Sequence, residues 1–366
     1  MKFRCDRDDL SEALQTVQRG VSNRPGIPAL TGVHLEASED GSLVLTTTDL
    51  EVSARLVAPV QVTEPGIALV PARLLGDMVK SLPEAPVEFD ADSGQARIRC
   101  AAYEGTVRLL PAEDFPMWQE PSGIRVTVDA SKFSEAVSQV GRAASKDDAR
   151  PTLTGVLVEV NREGVTLVAT DSYRLAVREL TATSAGEAQA IVPERALAEA
   201  GRAAGGIDKG EIEIFLDQSQ VAVRAAGLTM TSRLIEGQFP NYRQLLPETF
   251  EHELTLPRSE LLDVVRRASV MIQRSTPLQL RFAEGELTVI ARTHEVGESQ
   301  ESMPAGFTGD TLEIGFNADF LRDGLESIEG DDVRVNLISP LRPAVIQGEG
   351  DDFTYLVMPI RLPGAG

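Results

Sequence analysis

The side chains that most often perform chemistry are scattered along this sequence. The three histidines, His34, His252 and His294, have no Cys or His neighbour at metal-ligand spacing, and Cys5 and Cys100 form no Cys-x-x-Cys pair. There is no Gly-x-Ser-x-Gly elbow, Walker loop or His-Glu-x-x-His motif, and GEGDDF near the end lacks the context of a dinucleotide site. Acidic pairs are abundant because the net charge is −21, so they do not by themselves indicate acid–base catalysis. We expect no catalytic residue, metal or cofactor, with an enzyme as the main alternative class.

Cysteine usage and hydropathy indicate the compartment. Both cysteines lie in strand-like segments, where we expect small buried side chains rather than a disulfide, since cytosolic proteins rarely keep one. No stretch approaches the roughly 20 apolar residues of a membrane span, and the opening MKFRCDRDDL lacks the apolar run of a secretory signal. The sequence predicts a cytoplasmic protein without a membrane partner.

The charge balance, taken alone, argues against a nucleic-acid partner, because affinity for DNA comes from Lys and Arg that neutralise phosphates. The acidic surplus, however, is heavy in loops and strands such as EASED (36–40), whereas many basic residues fall on predicted helices or at their ends. These are ordinary solvated helix faces unless all six helices face a common space. The helix-associated basic residues are Arg19, Arg24, Arg73, Lys80, Lys132, Arg142, Lys146, Arg195, Arg202, Arg258, Arg266, Arg267, Arg274 and Arg322.

An internal repeat organises the chain. LSEALQTV (10–17) is answered by FSEAVSQV (133–140), and PALTGV (28–33) by PTLTGV (151–156). In the same order the Thr-Asp pair at 48–49 recurs at 170–171, ALVPARLL as AIVPERAL, and RLLPAEDFP as RLIEGQFP. A fainter third copy keeps the apolar spacing of the opening helix, at Leu261, Val265, Ala268 and Ile272.

Each copy has the same order of predicted elements. An opening helix, for which Asp9 and Glu12 predict the N-terminal cap in the first copy, precedes a two-stranded hairpin. A second helix and further alternating strands, such as 87–100 and 211–223, follow. The hairpins are predicted at 33–37 with 42–47, 156–160 with 165–170 and 278–282 with 286–291, with turns at Gly41, Gly164 and Gly285 and second helices opening near Pro71, Pro193 and Asn317.

The chain is therefore predicted to contain three domains, at 1–121, 122–250 and 251–366, with boundaries near 121–123 and 250–252. The predicted class is α+β with antiparallel sheets.

Four motifs occur in the order of a known family. They are TDSYRLAVREL (170–180), EGQFPNYRQLLP (236–247), FNADFL (316–321) and YLVMPIRL (355–362). With them the whole chain resembles the bacterial DNA polymerase III beta subunit. The resemblance implies three clamp-fold domains per chain and a homodimer closed head to tail into a ring, with antiparallel sheets outside and helices lining the hole. It implies a non-catalytic sliding clamp that encircles double-stranded DNA and confers processivity on the replicative polymerase.

The resemblance also implies a partner pocket. It would accept short peptides of the Gln-Leu-x-Leu-Phe kind from the polymerase alpha subunit, the clamp loader complex and other replication and repair proteins that carry the clamp-binding motif. Its apolar wall suits Leu and Phe anchors, and Arg174 and Arg361 would donate to peptide carbonyls. Ser172 and Tyr173 stand where Gly-His is frequent in the family, so we expect Tyr173 to reshape the pocket mouth. The implied pocket residues are Leu153, Thr170, Arg174, Leu175, Pro240, Leu245, Asn317, Phe320, Leu341, Pro343, Leu356, Met358, Pro359, Ile360 and Arg361.

The same resemblance implies two further surfaces. Arg24, Lys146 and Arg150 would face DNA, with Asp147 beside them reducing the positive charge. Ring closure would place opposite charges around an apolar centre, which suits an interface that reopens. One subunit would contribute Arg97, Arg99 and Leu109, and the other would contribute Val270, Met271 and the acidic run of Glu295, Glu298 and Glu301.

Simpler interpretations stay open for each feature. On pattern alone, Thr170-Asp171 is equally an Asx-type turn at a strand end, like Thr48-Asp49, and VMPIRL is equally a final core strand. A repeat scaffold that binds peptides but not DNA would also account for the pocket residues. Retention on circular but not linear DNA separates that scaffold from a clamp.

Overall fold

The computed structural model describes residues 1–21, 26–92, 94–207, 209–273, 276–293, 297–348 and 352–362. Arg24, Arg274, His294 and Glu295, which carried sequence-based expectations, lie outside these residues. In the described part of the chain each copy has a strand, a helix, a run of strands, a second helix and three strands, and the run between the helices has five strands in the first copy and four in the others.

The first copy contains β1 (Lys2–Cys5), α1 (Arg7–Val17), β2 (Gly32–Ala37), β3 (Ser42–Thr48), β4 (Val52–Pro59), β5 (Gln61–Glu64), β6 (Gly66–Pro71), α2 (Ala72–Ser81), β7 (Val87–Asp92), β8 (Gln95–Cys100) and β9 (Tyr103–Arg108). The second contains β10 (Ile124–Asp129), α3 (Ala130–Gly141), β11 (Gly155–Val160), β12 (Gly164–Thr170), β13 (Arg174–Ser184), β14 (Ala188–Pro193), α4 (Glu194–Gly205), β15 (Glu211–Leu216), β16 (Gln220–Ala225) and β17 (Leu228–Arg233). The third contains β18 (His252–Pro257), α5 (Arg258–Ser269), β19 (Leu278–Ala283), β20 (Glu286–Thr293), β21 (Gly297–Pro304), β22 (Leu312–Phe316), α6 (Ala318–Ser327), β23 (Asp332–Leu337), β24 (Ala344–Gly348) and β25 (Phe353–Val357).

The predicted hairpins are confirmed as the antiparallel pairs β2–β3, β11–β12 and β19–β20. Gly41 and Gly285 have φ values of +86° and +75°, a left-handed conformation that glycine adopts without the clash of a Cβ. Gly164 is required for a different reason. It is the first residue of β12, and a Cβ there would lie 2.5 Å from the Leu180 carbonyl oxygen.

The second helix of each copy begins where the sequence predicts it. Asn317 caps α6 by accepting a hydrogen bond from the Phe320 backbone N–H at 3.1 Å. The predicted cap of the first helix is wrong. α1 begins at Arg7, and the Leu10 N–H already bonds to the Asp6 carbonyl, so Asp9 lies inside the first turn.

The apolar helix faces form the core. Leu10, Leu14 and Val17 of α1 are buried, as are Phe133, Val137 and Val140 on α3. The same holds for Leu261, Val265 and Ala268 of α5, whereas Ile272, the last of its predicted series, is only half-buried. The spacing of these residues in the sequence therefore identified the buried face of each opening helix.

The chain forms two compact units. Unit one comprises residues 1–134, 183–186 and 195–234, and unit two comprises 135–182, 187–194 and 235–366. The second copy of the repeat is thus divided between them, so the predicted domain boundaries at 121 and 250 stay a prediction.

Each unit contains one large and one small antiparallel sheet. In unit one the large sheet has the order β10-β15-β16-β17-β4-β3-β2-β6, and the small sheet has the order β5-β1-β7-β8-β9. In unit two the corresponding orders are β18-β23-β24-β25-β13-β12-β11-β14 and β21-β20-β19-β22. Each large sheet therefore joins strands of two neighbouring copies, and the predicted α+β class with antiparallel sheets is confirmed. We call the β4–β17 pairing the first junction and the β13–β25 pairing the second junction.

Cys5 and Cys100 carry free thiols. Cys100 is buried, and burial together with Asp9 and Asp6 raises the pKa of the half-buried Cys5 thiol to about 12. Among the described residues, no helix has the length and apolar character that crossing a bilayer requires.

Candidate partner-binding site

The second junction brings three strand ends together. β13 pairs with β25 from Arg174 opposite Val357, and β24 pairs with β25 from Ala344 opposite Val357. One residue beyond these pairs, the Met358 N–H donates to the Tyr173 carbonyl at 2.8 Å. Pro343, which precedes Ala344, is opposite Met358 in the same register. The motifs around 173, 343 and 358, far apart in sequence, therefore meet in one row.

A tight turn precedes β13. The Asp171 carboxylate accepts hydrogen bonds from the backbone N–H groups of Tyr173 at 2.9 Å and Arg174 at 3.0 Å. The Thr170 hydroxyl donates to the Arg174 carbonyl at 2.6 Å and accepts from the Ser172 N–H at 3.1 Å. Ser172 has a φ of +81°, and Tyr173 is 61% exposed. The Asx-type turn is thus confirmed, and it presents the Tyr173 ring to solvent.

Arg174 does not lie where a peptide carbonyl could easily reach it. The residue is only 8% exposed, and its guanidinium pairs with Asp171 at 3.0 Å and Asp323 at 2.5 Å while stacking 4.3 Å from the Phe320 ring centre. Burial alone would lower the pKa of Arg174, but Tyr355, Asp323 and Asp171 outweigh it and raise that pKa. Arg174 thus ties the Asp171 turn to α6, and its role as a donor to a bound peptide stays a prediction.

Helix α6 is held against β25 at the same place. The Tyr355 hydroxyl donates to the Phe320 carbonyl at 2.9 Å, and a Cβ on Gly324 would meet the Tyr355 ring at 2.5 Å. Gly324 therefore lets the helix lie directly on this ring. Asn317 caps the helix and both Asn317 and Phe320 are half-buried, and their contact with a peptide stays a prediction.

The floor is a cluster of buried apolar side chains. Leu175 and Leu356, directly paired across the second junction, are 1% and 2% exposed and belong to a cluster with Leu157, Val168 and Tyr242. Phe239 and Leu246 pack on this cluster, which places the neighbouring residues Pro240 and Leu245 beside it. Leu153 and Thr170 are likewise buried. The interpretation of VMPIRL as a core strand is wrong beyond Val357, because β25 ends there and Met358, Ile360 and Arg361 are exposed.

Most exposed large apolar side chains of unit two lie on chain segments next to the second junction. Among its described residues only six large hydrophobic side chains are exposed, and one of them, Val270, lies elsewhere. The other five are Tyr173, Leu245, Leu341, Met358 and Ile360. Pro240 is also exposed, and Pro343 and Pro359 are half-buried. Apolar surface concentrated at one place on a protein marks an interaction site.

Sequence reasoning missed three supports of this site. Asp171 was recognised only as a turn residue, and Asp323 and Tyr355 were not singled out at all. The Thr-Asp repeat signalled Asp171, but no local pattern links Asp323 to Arg174, 149 positions away.

One of the predicted DNA-facing residues, Arg150, lies beside the same turn. Lys146 and Arg150 are exposed. Arg150 pairs with Asp147 at 2.9 Å and donates to the Ser172 hydroxyl at 2.9 Å. The Ala149 N–H and the Arg150 guanidinium lower the pKa of Asp147, which keeps it ionised. Asp147 therefore offsets the charge of Arg150, as the sequence suggested.

Most of the helix-associated arginines also have acidic neighbours. Arg142 and Arg266 both contact Glu326, at 2.7 and 2.8 Å, and Arg267 contacts Glu301 at 2.6 Å. Ion pairs of Arg19 and Arg202 with Glu199, Arg195 with Asp49, and Arg322 with Asp319 follow the same pattern. The positive charge of these helices is therefore partly neutralised within the chain.

The predicted interface residues lie at two open sheet edges, one in each unit. In unit one Arg97 and Arg99 of β8 both contact Glu104 of the edge strand β9, at 3.5 and 3.2 Å, and Leu109 follows that strand. In unit two Val270 and Met271 follow α5, beside the edge strand β21. Glu298 and Glu301 of β21 contact Arg292 and Arg267. These charges therefore have partners within the chain before any second subunit arrives. Among the described residues, no group of three or more His, Cys, Asp or Glu side chains is placed to hold a metal ion.

Family models of the DNA polymerase III beta subunit match three consecutive parts of the chain. The N-terminal domain matches residues 1–119, the central domain 127–241 and the C-terminal domain 243–361. The chain is 34% identical to the beta sliding clamp of Streptomyces coelicolor over 377 residues, covering 100% of both sequences.

Solved structures of bacterial sliding clamps also match this chain over nearly its whole length. The sliding clamp (DNA polymerase III subunit beta) of Pseudomonas aeruginosa bound to griselimycin matches with a TM-score of 0.94 and 32% identity, over 99% of this chain and 100% of that one. The DNA polymerase sliding clamp of Bacillus subtilis matches with a TM-score of 0.94 and 27% identity, over 99% of each chain. With all three clamp domains present in order, the chain belongs to the DNA polymerase III beta subunit family, the bacterial beta sliding clamps.

Proposed function

We propose that two copies of this chain form a ring that encircles duplex DNA and tethers the replicative polymerase and other replication and repair proteins. The chain has no catalytic role in that assembly, because it belongs to a family of non-catalytic processivity factors. The observation that carries the proposal is the row of exposed apolar side chains at the second junction, in a chain with all three clamp domains.

The second junction suits a short extended peptide. Leu and Phe anchors would bury apolar area against Met358, Leu245 and Leu341, and methionine adapts its shape to different anchors. Arg361 is exposed and can donate to peptide carbonyls, whereas Arg174 is buried and already paired within the chain. The peptides would come from the polymerase alpha subunit, the clamp loader and other proteins with the clamp-binding motif.

The open sheet edges support a head-to-tail dimer. A chain with one unpaired edge at β9 and another at β21 can close a ring of two copies, since each copy offers both edges. Apolar side chains accompany both edges: Tyr103, the first residue of β9, is exposed, and Val270 is exposed near β21. Apolar contact between the edges, more than new ion pairs, would hold the ring, because the charged residues already have partners in the chain.

Topology would hold the DNA. With a net charge of −21 and partly neutralised helix arginines, the chain has little to gain from direct phosphate contact. Lys146 and Arg150 would contribute contacts without base specificity, with water between protein and phosphates. Because it would act on chromosomal DNA, the protein would function in the cytoplasm.

Competition for one site tests the tethering part of the proposal. A fluorescent Gln-Leu-x-Leu-Phe peptide is bound to the protein and followed by anisotropy while polymerase alpha subunit or clamp loader is added. Both proteins should displace the peptide, and Met358→Ala should weaken all three interactions together. If the peptide fails to bind, or if either protein binds without displacing it, the proposed shared site is wrong.

A further inference from the structure

The first junction repeats the backbone of the candidate peptide site. The Thr48 hydroxyl accepts from the Leu50 N–H at 3.1 Å, and the Asp49 carboxylate accepts from the N–H groups of Glu51 at 3.0 Å and Val52 at 2.7 Å. Leu50 has a φ of +76°, matching Ser172. This is the turn found before β13, built on the Thr-Asp pair of the first copy.

The strand register repeats as well. Ser53 is opposite Thr231 across the first junction, as Leu175 is opposite Leu356 across the second. The Arg233 N–H donates to the Glu51 carbonyl at 3.1 Å, as the Met358 N–H donates to the Tyr173 carbonyl at 2.8 Å. Each position at one junction therefore has a defined counterpart at the other.

The side chains on this shared frame differ in kind. The apolar residues Val168, Leu175, Leu356 and Met358 have Thr46, Ser53, Thr231 and Arg233 as their counterparts. Leu157 is replaced by His34, whose ring stacks on Phe115 with centroids 5.1 Å apart. Pro343 is replaced by Gln220, which is paired with Arg233.

A cavity of about 250 Å³ lies at the first junction. Its apolar wall is the segment Phe115-Pro116-Met117-Trp118, the counterpart of Phe239-Pro240-Asn241-Tyr242. Met117 is 93% exposed and Leu50 is also exposed, so apolar contact is available at the rim. The remaining lining includes five hydroxyl-bearing residues, of which Ser53 donates to the Thr48 hydroxyl at 2.7 Å and Ser232 to the Arg233 carbonyl at 3.0 Å: Thr46, Thr48, Ser53, Thr231 and Ser232.

An apolar anchor entering this cavity would meet the wrong surface. It would meet the polar side chains of Thr46, Ser53 and Thr231 where the second junction offers Val168, Leu175 and Leu356, so it would bury less apolar area and cover polar groups to which it offers no hydrogen bond. It would also have to displace the Arg233 guanidinium, where the second junction offers the adaptable Met358 side chain.

We infer that the first junction is a copy of the peptide site whose specificity has been removed by Thr46, Ser53, Thr231 and Arg233, so that each chain accepts a single apolar peptide. The inference rests on the proposed function, because it takes the second junction as the peptide site. These four positions determine which junction a partner peptide can bind, although the backbone has the same turn and strand register at both junctions.

Transfer of the four side chains tests the inference. The variant Thr46→Val, Ser53→Leu, Thr231→Leu, Arg233→Met of the full chain is titrated with a Gln-Leu-x-Leu-Phe peptide by calorimetry. The natural chain should bind one peptide per chain, with any binding at the first junction at least about 100-fold weaker. The variant should bind two. Trp118, the chain's single tryptophan, lines the first-junction cavity and reports its occupancy by fluorescence. Its emission should change on peptide addition only in the variant.

The reverse transfer guards against a variant that does not fold. Met358→Arg changes a side chain that is 38% exposed, so the melting temperature should hold while peptide affinity falls at least about tenfold. A natural chain that binds two peptides with a Trp118 response, a folded four-site variant that still binds one, or a Met358→Arg chain with unchanged affinity would each overturn the inference. A natural chain that binds no peptide would instead overturn the proposed function beneath it.

Discussion

Replacing Arg174 by alanine tests whether this residue is an internal support or a peptide ligand. The substitution removes ion pairs to Asp171 and Asp323 and the stacking on Phe320. It leaves Asp171, whose side chain is 13% exposed, without this cation, and Asp323, whose side chain is 25% exposed, with only the more distant Arg142 at 4.0 Å. Breaking a buried pair in this way costs about 3–5 kcal/mol, and the partial exposure of Asp323 favours the lower end.

The expected result is a fall of roughly 10 °C in the melting of unit two, since a domain of this size loses about 2–4 °C per kcal/mol. Scanning calorimetry measures the melting temperature. Fluorescence anisotropy of a bound Gln-Leu-x-Leu-Phe peptide, recorded below the unfolding transition, measures peptide affinity. Arg361→Ala is the matched control. The residue is exposed, so the substitution should leave the melting temperature unchanged and lower the affinity for the peptide. If Arg174→Ala leaves melting unchanged and abolishes peptide binding, Arg174 is a direct ligand and the support role is wrong.

Three further outcomes are expected. Leu175→Ala should lower the free energy of unfolding by about 2–5 kcal/mol because the side chain is 1% exposed in the core cluster, whereas Met358→Ala should keep its stability and lose peptide affinity by roughly 30-fold. Equal free energies of unfolding for the two variants in denaturant titration would contradict the assigned burial. Arg99→Glu combined with Met271→Asp should give monomers in sedimentation while the natural chain sediments as a dimer, and a natural chain that is monomeric at micromolar concentration, or trimeric, would rule out the proposed ring. Hydrogen bonds from Arg266 and Arg142 lower the pKa of Glu326, so the stability they provide is present above the ordinary glutamate pKa of about 4.3 and is lost as pH falls through the lowered value. The Glu326→Gln variant should therefore lose less melting temperature than the natural chain between pH 7 and acid pH. An identical loss in both proteins would show that these contacts contribute nothing to stability.

The repeat made the local structure predictable. Apolar spacing identified the buried faces of α1 and α3, and the turn glycines Gly41 and Gly285 identified hairpins, because each depends on neighbours a few positions away. The cap at Asp9 failed since several acidic residues near the helix start compete on pattern alone.

The site was predictable in its location more than in its roles. Four motifs located the second junction, but the sequence could not reveal that Arg174 is buried between Asp171 and Asp323, which lie on separate elements. Nor could it reveal that Arg150 donates a hydrogen bond to Ser172, or that Glu326 contacts two helix arginines. Apart from the short-range pair of Arg174 with Asp171, these contacts join residues far apart in sequence, where residue type gives no indication of the partner.

Retention on DNA of different topology tests the central claim most directly. A clamp loader loads the protein onto a nicked circular DNA, and a salt wash then removes the loader and any protein held only by salt-sensitive contacts. Gel filtration measures the protein that stays on the DNA before and after the circle is cut at one site. A ring that holds DNA by encircling it should stay on the circle, leave within minutes of linearisation, and stay on linear DNA whose ends are blocked by bound protein. Equal retention on circular and open linear DNA would contradict the account, because it would mean that the protein holds DNA by direct contact instead of topology.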